Sequence, residues 1–206
     1  MLTEEPAKTM RHATPRTIIE VFTPPHLRRY EVVRDFLFVI AGSALIALSA
    51  KIQVGGPVPF TMQSWAVILL GALLGSRRGA LTVIAYLLEG VAGIPVFAGP
   101  NAGPAYLLGR TGGFLAGFVL AAFVVGWLAE RRWDRRFLTA VIAVGIGDTI
   151  ILAAGVCWLT FFIGFHEALG GLRHLWMADL LKIVLAAVAL PGAWRLLGKS
   201  PDNSCH

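Results

Sequence analysis

Long apolar runs separated by brief polar breaks are the feature of this sequence that most constrains its fold. Hydrophobic residues fill 56% of the 206 positions and only 15% of the residues are charged. A soluble domain carries about 25% charged residues. Six helices of about 20 residues would use about 120 residues and leave short loops with one tail. The pattern predicts an all-α integral membrane protein, with one domain and six transmembrane helices.

The apolar runs give approximate bounds for these helices. We expect helices at residues 34–53, 62–76, 79–93, 112–130, 137–163 and 174–197. Residues 1–33 are polar and lack the apolar core of a secretory signal, so they are interpreted as a basic cytoplasmic tail. Residues 34–197 form the predicted transmembrane domain, and residues 198–206 form a C-terminal tail.

Two breaks in this pattern carry local expectations. The polar residues 76–79 (Ser-Arg-Arg-Gly) cannot stay in hydrocarbon, so they predict a tight turn between the second and third helices. The fifth segment is long and contains Gly145 and Gly147, where we expect that it can break.

The basic residues predict the orientation of the bundle. Lys and Arg are retained in the short cytoplasmic loops of membrane proteins. With the N-terminus inside, 14 of the 18 Lys and Arg residues lie on the cytoplasmic side, and both termini are cytoplasmic. The net charge of +6 lies at the ends of apolar segments and not on a soluble face, so it does not indicate nucleic-acid binding. The four outer cations, which need an explanation, are Lys51, Arg110, Arg173 and Lys182.

Two irregular outer segments are candidate walls of a binding pocket. Residues 53–63 contain two prolines and two glycines that shape a lid or rim, and Gln63 offers a neutral donor and acceptor. Residues 93–113 are too apolar for a solvated loop, and such backbone is tolerated at membrane depth only against protein or a cavity. There, Phe97 and Tyr106 supply flat surfaces and Arg110 a carboxylate-binding fork. The alternative is that the prolines and glycines serve turn geometry alone.

Ionisable residues in the apolar segments are the next candidates. Asp179 and Lys182 are three residues apart, so they share one face of the last helix in the outer part of the bilayer. Such residues tend to face a cavity or one another and mark a substrate route. Either a self-contained ion pair or an outward-facing site accounts for them. We interpret Asp148 as structural, and His166 and His174 as surface residues and not metal ligands.

Small residues and missing motifs narrow the remaining function classes. The pairs Ser43 with Ala47 and Gly113 with Gly117 are spaced for helix packing, either within the chain or against another subunit. No phosphate-binding loop, H-E-x-x-H or G-x-S-x-G motif is present, so ATP hydrolysis by that loop, metalloprotease and serine-hydrolase chemistry lack support. We therefore expect no enzyme activity and no cofactor or metal.

Five motifs in order carry a family resemblance. They are PVPFTMQ (57–63), LLGALLGSRRGAL (69–81), YLLEGVAGIPVFAG (86–99), GRTGGFLAGF (109–118) and ADLLK (178–182). Together they closely resemble the BioY family of biotin-uptake membrane proteins, which are substrate-binding S components of energy-coupling-factor (ECF) transporters. The resemblance covers about residues 34–197.

The resemblance implies a six-helix S component in the plasma membrane of a prokaryote, which binds biotin from outside with high affinity and mediates its uptake. In the family the D-x-x-K motif lines the biotin pocket, which here is Asp179 and Lys182. An asparagine and an arginine of the third-to-fourth helix region also contact ligand, which here are Asn101 and Arg110. The full set of expected substrate-binding residues is Phe60, Gln63, Tyr86, Phe97, Asn101, Tyr106, Arg110, Asp179 and Lys182.

The resemblance also implies partners. Many members dock on a transmembrane coupling protein driven by two ATPase subunits, whereas a member that works alone would form a homo-oligomer. Three alternatives stay open: an S component for another vitamin such as riboflavin or thiamine, an intramembrane enzyme that uses Asp148 or Asp179, and a structural subunit.

Overall fold

The computed structural model describes residues 17–21, 31–54 and 60–196. Most of this part is helical, and two strands of two residues each are its only sheet. In chain order the elements are α1 (Ile18–Val21), α2 (Glu31–Lys51), β1 (Gln53–Val54), β2 (Phe60–Thr61), α3 (Gln63–Leu74), α4 (Ser76–Val91), α5 (Pro104–Leu107), α6 (Gly112–Glu130), α7 (Phe137–Ile163) and α8 (Phe165–Leu196). The predicted all-α fold class is confirmed.

Six of these helices contain 12 residues or more, and three of the described helices are long and apolar enough to cross a membrane by length and composition alone: α2, α6 and α7. Helix α3 is apolar but shorter, at 12 residues. The bounds predicted for α6 and α7 agree with the structure to the residue. The predicted start of the last helix at residue 174 is wrong, because α8 begins at Phe165. Gly164, with φ of +82°, ends α7 and lets the chain turn into α8 within a single residue.

The turn between α3 and α4 is also shorter than predicted. It consists of Gly75 alone, at φ +86°, and Ser76 already begins α4. The Oε1 atom of Glu130 accepts hydrogen bonds from the backbone N–H and the hydroxyl of Ser76, both at 2.8 Å. A carboxylate at this position satisfies the unpaired amides of a helix N-terminus. Residues 77–79 therefore continue the first turn of α4.

Close helix contacts hold the centre of the bundle. A Cβ atom on Gly71 of α3 would lie 2.7 Å from the carbonyl oxygen of Ala122 in α6, so only glycine permits this approach. Gly147 packs against Val125 of α6, and α7 runs unbroken past it. The expected break at Gly145 and Gly147 is wrong, since close packing and not a kink explains the glycine at 147.

Both small-residue pairs contribute to packing inside this chain. Gly113 and Gly117 of α6 lie against α7, where a Cβ on Gly113 would meet the side chain of Trp158 at 2.2 Å. Ser43 of α2 is buried, and its hydroxyl donates to Glu89 of α4 at 2.7 Å. The pairs therefore allow neighbouring helices to approach closely, as small residues commonly do in membrane bundles.

The two ends of the bundle differ in charge. The inner end, in the orientation that the charge pattern predicts, carries Arg77, Arg78 and the loop between α6 and α7. Helix α1 lies at the same end, where it contacts α3 and its Ile18 is buried. In the loop between α6 and α7, the buried Asp134 accepts a hydrogen bond from the indole N–H of Trp194 in α8. Burial raises the pKa of Asp134 to about 6, although the Trp194 hydrogen bond opposes the shift. The outer end carries β1, β2 and the segment 92–111.

Candidate functional site

Lys51, at the last position of α2, anchors the outer segment. Its ammonium donates to three backbone carbonyl oxygens, those of Pro95 at 2.6 Å, Phe97 at 3.0 Å and Gly99 at 2.6 Å. A lysine near a helix C-terminus also interacts favourably with the helix dipole. This accounts for one of the four outer cations: Lys51 holds an otherwise irregular loop against the bundle.

An aromatic stack supports the same loop from beneath. The ring of Phe97 lies almost parallel to that of Tyr106, with centroids 4.9 Å apart, and meets Tyr86 edge to face at 5.6 Å. Both arrangements are favoured for aromatic pairs. The hydroxyl of Tyr86 accepts from Gln63 Nε2 at 2.6 Å and donates to the carbonyl of Val96 at 3.2 Å. These contacts fix α3, α4 and the outer segment relative to one another.

A buried charged group lies below the loop. Asp179 and Lys182 of α8 are each 6% exposed, and the Lys182 ammonium lies 3.1 Å from Asp179 Oδ1. The same ammonium donates to the Thr61 carbonyl at 2.8 Å and to the Ser64 hydroxyl at 3.0 Å. The i, i+3 spacing puts both side chains on one helix face, as predicted. Lys182 thus connects α8 with β2 and α3.

These residues surround a cavity of about 70 Å³ at the outer end. Its wall is mainly apolar on the α6 and α7 sides, with Phe114, Leu115, Phe118, Ile151 and Leu152. Its polar groups come from several elements: Thr61, Gln63, Ser64, Tyr106, Thr111, Asp148, Asp179 and Lys182. A cavity that combines apolar walls with converging polar groups is a candidate small-molecule site.

The structure sorts the expected site residues into three groups. Gln63, Tyr106, Asp179 and Lys182 line the cavity. Tyr86 and Phe97 are fully buried one layer behind it, where they support the wall.

The third group, Asn101 and Arg110, is not among the residues that line the cavity. Asn101 is exposed, and its amide donates to the Ala98 carbonyl at 2.7 Å, which closes a turn of the outer segment. Arg110 is exposed and next to the lining residue Thr111. The side chain of Phe60 lies outside the described residues, although its backbone pairs with Val54.

Sequence reasoning missed one charged member of the cavity. Asp148 of α7, interpreted as structural, is buried and lines the cavity beside Asp179 and Lys182. The signal that could have found it is the one used for Asp179, an ionisable side chain deep in a spanning segment.

This chain is similar to known membrane proteins in sequence and in structure. The model of the BioY family matches residues 16–199. A relative from Thermotoga maritima, named biotin transporter BioY, is 41% identical over 152 residues, which cover 71% of this chain and 87% of the relative. A relative from Pyrococcus horikoshii, named probable biotin transporter BioY, is 39% identical over 177 residues, with 84% and 100% covered.

A solved structure shares the fold. The crystal structure of the S-component for biotin from an ECF-type ABC transporter superposes with a TM-score of 0.69 at 25% identity. The match covers 80% of this chain and 93% of that structure.

Proposed function

We propose that this chain, which belongs to the BioY family, is a membrane transporter component that binds biotin from the outer side and mediates its uptake. The observation that carries the proposal is the outer cavity, in which the buried Asp179 and Lys182 pair faces an apolar wall. Relatives that share 41% and 39% of their aligned residues with it are named for biotin, so riboflavin and thiamine are not favoured.

The chemistry of the cavity suits biotin. Biotin combines a carboxylate, an apolar valerate chain and a ureido group with N–H donors and a carbonyl acceptor. Asp179 accepts from a ureido N–H, and the apolar residues of α6 and α7 contact the sulfur-containing ring and the chain. Lys182 already has three protein acceptors, so its main part is to hold Asp179. The exposed Arg110 then takes the carboxylate at the entrance.

Each of the six longer helices crosses the membrane of a prokaryotic cell once, and both termini lie in the cytoplasm. The proposed function involves no cofactor and no enzymatic step. Three helices with the apolarity of a membrane span support this helix arrangement, together with the basic residues at the inner end. Labelling of single cysteines placed at Arg77 and at Gly93 with a membrane-impermeant maleimide tests it. Reaction at 93 alone is expected, and reaction at 77 in sealed cells would contradict it.

Biotin binding by purified variants tests the site. Asp179→Asn and Lys182→Met each remove one charge of a buried ion pair. Such a change lowers the stability of the local structure by about 3–5 kcal/mol when the remaining charge is left uncompensated. We expect at least tenfold weaker binding for each. Asp35→Asn is the matched control, because Asp35 is paired with Arg78 at the inner end. Wild-type affinity in both site variants would overturn the assignment.

Partner subunits are a separate part of the proposal. As the family resemblance implies, this chain works with a transmembrane coupling protein and two ATPase subunits; the other arrangement is a homo-oligomer that works alone. Biotin uptake by cells that express this chain with and without a coupling module separates the two. Uptake that depends on the module supports the first arrangement, and equal uptake in both strains rejects it.

A further inference from the structure

Asp148 lies between two cavities, near the middle of α7. It is 7% exposed and lines the outer cavity together with Asp179. The same two carboxylates also line a cleft of about 500 Å³ between α7 and α8, whose other walls include Leu152, Leu180 and Ile183. Asp148 therefore forms part of the wall that the outer cavity shares with this lateral cleft.

The three charged side chains of the cavity are unequally partnered. Lys182 donates to Asp179, Thr61 and Ser64. Asp148 interacts with Lys182 and Asp179 only through their charges, and no side chain in the described part of α7 or α8 donates a hydrogen bond to it. A buried carboxylate without a donor is costly. With one cation and two carboxylates, the charged groups of the cavity have an excess of carboxylates and a net charge of −1.

A ligand that brings N–H donors satisfies this excess. We infer that Asp148 is a substrate-binding residue, whose carboxylate accepts a hydrogen bond from a ureido N–H of biotin; this inference rests on the proposed function. The two carboxylates of the wall then both face the ureido ring, while Phe114 and Phe118 of α6 cover its apolar part. Asp148 also lets the site accept a ring that carries positive charge.

The test compares biotin with 2-iminobiotin, whose ring carries a guanidinium in place of the ureido group. Binding of both to purified protein is measured at pH 8 for the wild type, Asp148→Asn and Asp148→Ala. Thr149→Val is the matched control, since Thr149 is the next residue, lines only the lateral cleft and is exposed. Its hydroxyl donates to the Gly145 carbonyl within the helix.

We expect Asp148→Asn to weaken biotin binding at least tenfold and iminobiotin binding at least a hundredfold, because the cation loses a full charge partner. Thr149→Val stays within twofold of the wild type. Equal losses for the two ligands would assign Asp148 a structural role and overturn the inference, as would affinities within twofold of the wild type.

A measurement on the wild type keeps the inference testable if the variants do not fold. Cationic iminobiotin is expected to bind no more than tenfold more weakly than biotin, and a larger loss overturns the inference. A wild-type protein that binds biotin but fails these tests refutes only the role of Asp148. A wild-type protein that binds no biotin refutes the proposed function itself.

Discussion

Replacing Lys51 by methionine should loosen the outer segment that forms the roof of the cavity. The Lys51 ammonium supplies three hydrogen bonds, at 2.6, 3.0 and 2.6 Å, to carbonyls of residues 95–99. Methionine keeps much of the apolar stem but removes every donor. The loop then retains its backbone bonds, such as Gly103 N–H to Gly90 O at 2.7 Å, and its aromatic stack.

The size of the effect follows from these contacts. A hydrogen bond from a charged group contributes about 1.5–3 kcal/mol in a protected site, and about 1 kcal/mol is reasonable for each bond of the exposed Lys51. Fixing the long side chain costs up to about 2 kcal/mol of rotamer entropy. The net contribution to the closed loop is about 1–2 kcal/mol. Local opening should therefore become about 5–30 times more frequent.

Hydrogen exchange of the ligand-free protein measures this directly. Amides of residues 94–103 in Lys51→Met should exchange about 5–30 times faster than in the wild type, while those of α6 and α7 are unchanged. Leu48→Met is the control, because Leu48 is an exposed residue one turn earlier on the same helix. Exchange of the loop within twofold of the wild type would refute the role of Lys51 as its anchor.

Two further predictions concern stability. The pKa of Asp134 is raised from 3.8 to about 6, so the folded protein holds this proton more tightly than the unfolded chain does. The protonated carboxyl therefore adds to the free energy of unfolding below pH 3.8, and this stabilisation is lost as the pH rises through about 6. In Asp134→Asn the loss of stability between pH 4 and pH 7 should be smaller than in the wild type, by roughly 3 kcal/mol at most. Thermal melting of both detergent-solubilised proteins across this pH range measures the difference, and an equal loss of stability in the two would contradict the prediction. Gly90→Ala should destabilise by about 1–3 kcal/mol, because its Cβ would lie 2.0 Å from Phe97 Cζ. Gly145→Ala, which meets nothing within 4 Å, should be neutral or stabilising in the same melting assay, and an equal loss in both would refute the packing argument.

The sequence predicted what depends on local pattern. Apolarity and length give the bounds of α6 and α7, whose ends coincide with clear polar breaks. The i, i+3 spacing of Asp179 and Lys182 places them together on any helix, so their proximity needed no knowledge of the fold. The family resemblance rests on several separate motifs, and the match over residues 16–199 confirms it.

The remaining features depend on contacts distant in sequence. The acceptors of Lys51 are backbone carbonyls 44 to 48 residues away, which leave no trace in side-chain pattern. Whether Asp148 faces the cavity depends on how α7 rotates against α6 and α8. The one-residue turn at Gly75 depends on Glu130 of α6, which caps α4 from outside the hairpin. Tertiary contacts thus determined the features that the sequence pattern left open.

Biotin binding by the purified wild-type chain tests the account most directly. Radiolabelled biotin is equilibrated with the protein in detergent or nanodiscs, with riboflavin and thiamine as competitors. We predict saturable binding of one biotin per chain, which unlabelled biotin displaces and the other two vitamins do not. Absence of saturable binding, or displacement by riboflavin or thiamine at comparable concentrations, would contradict the account.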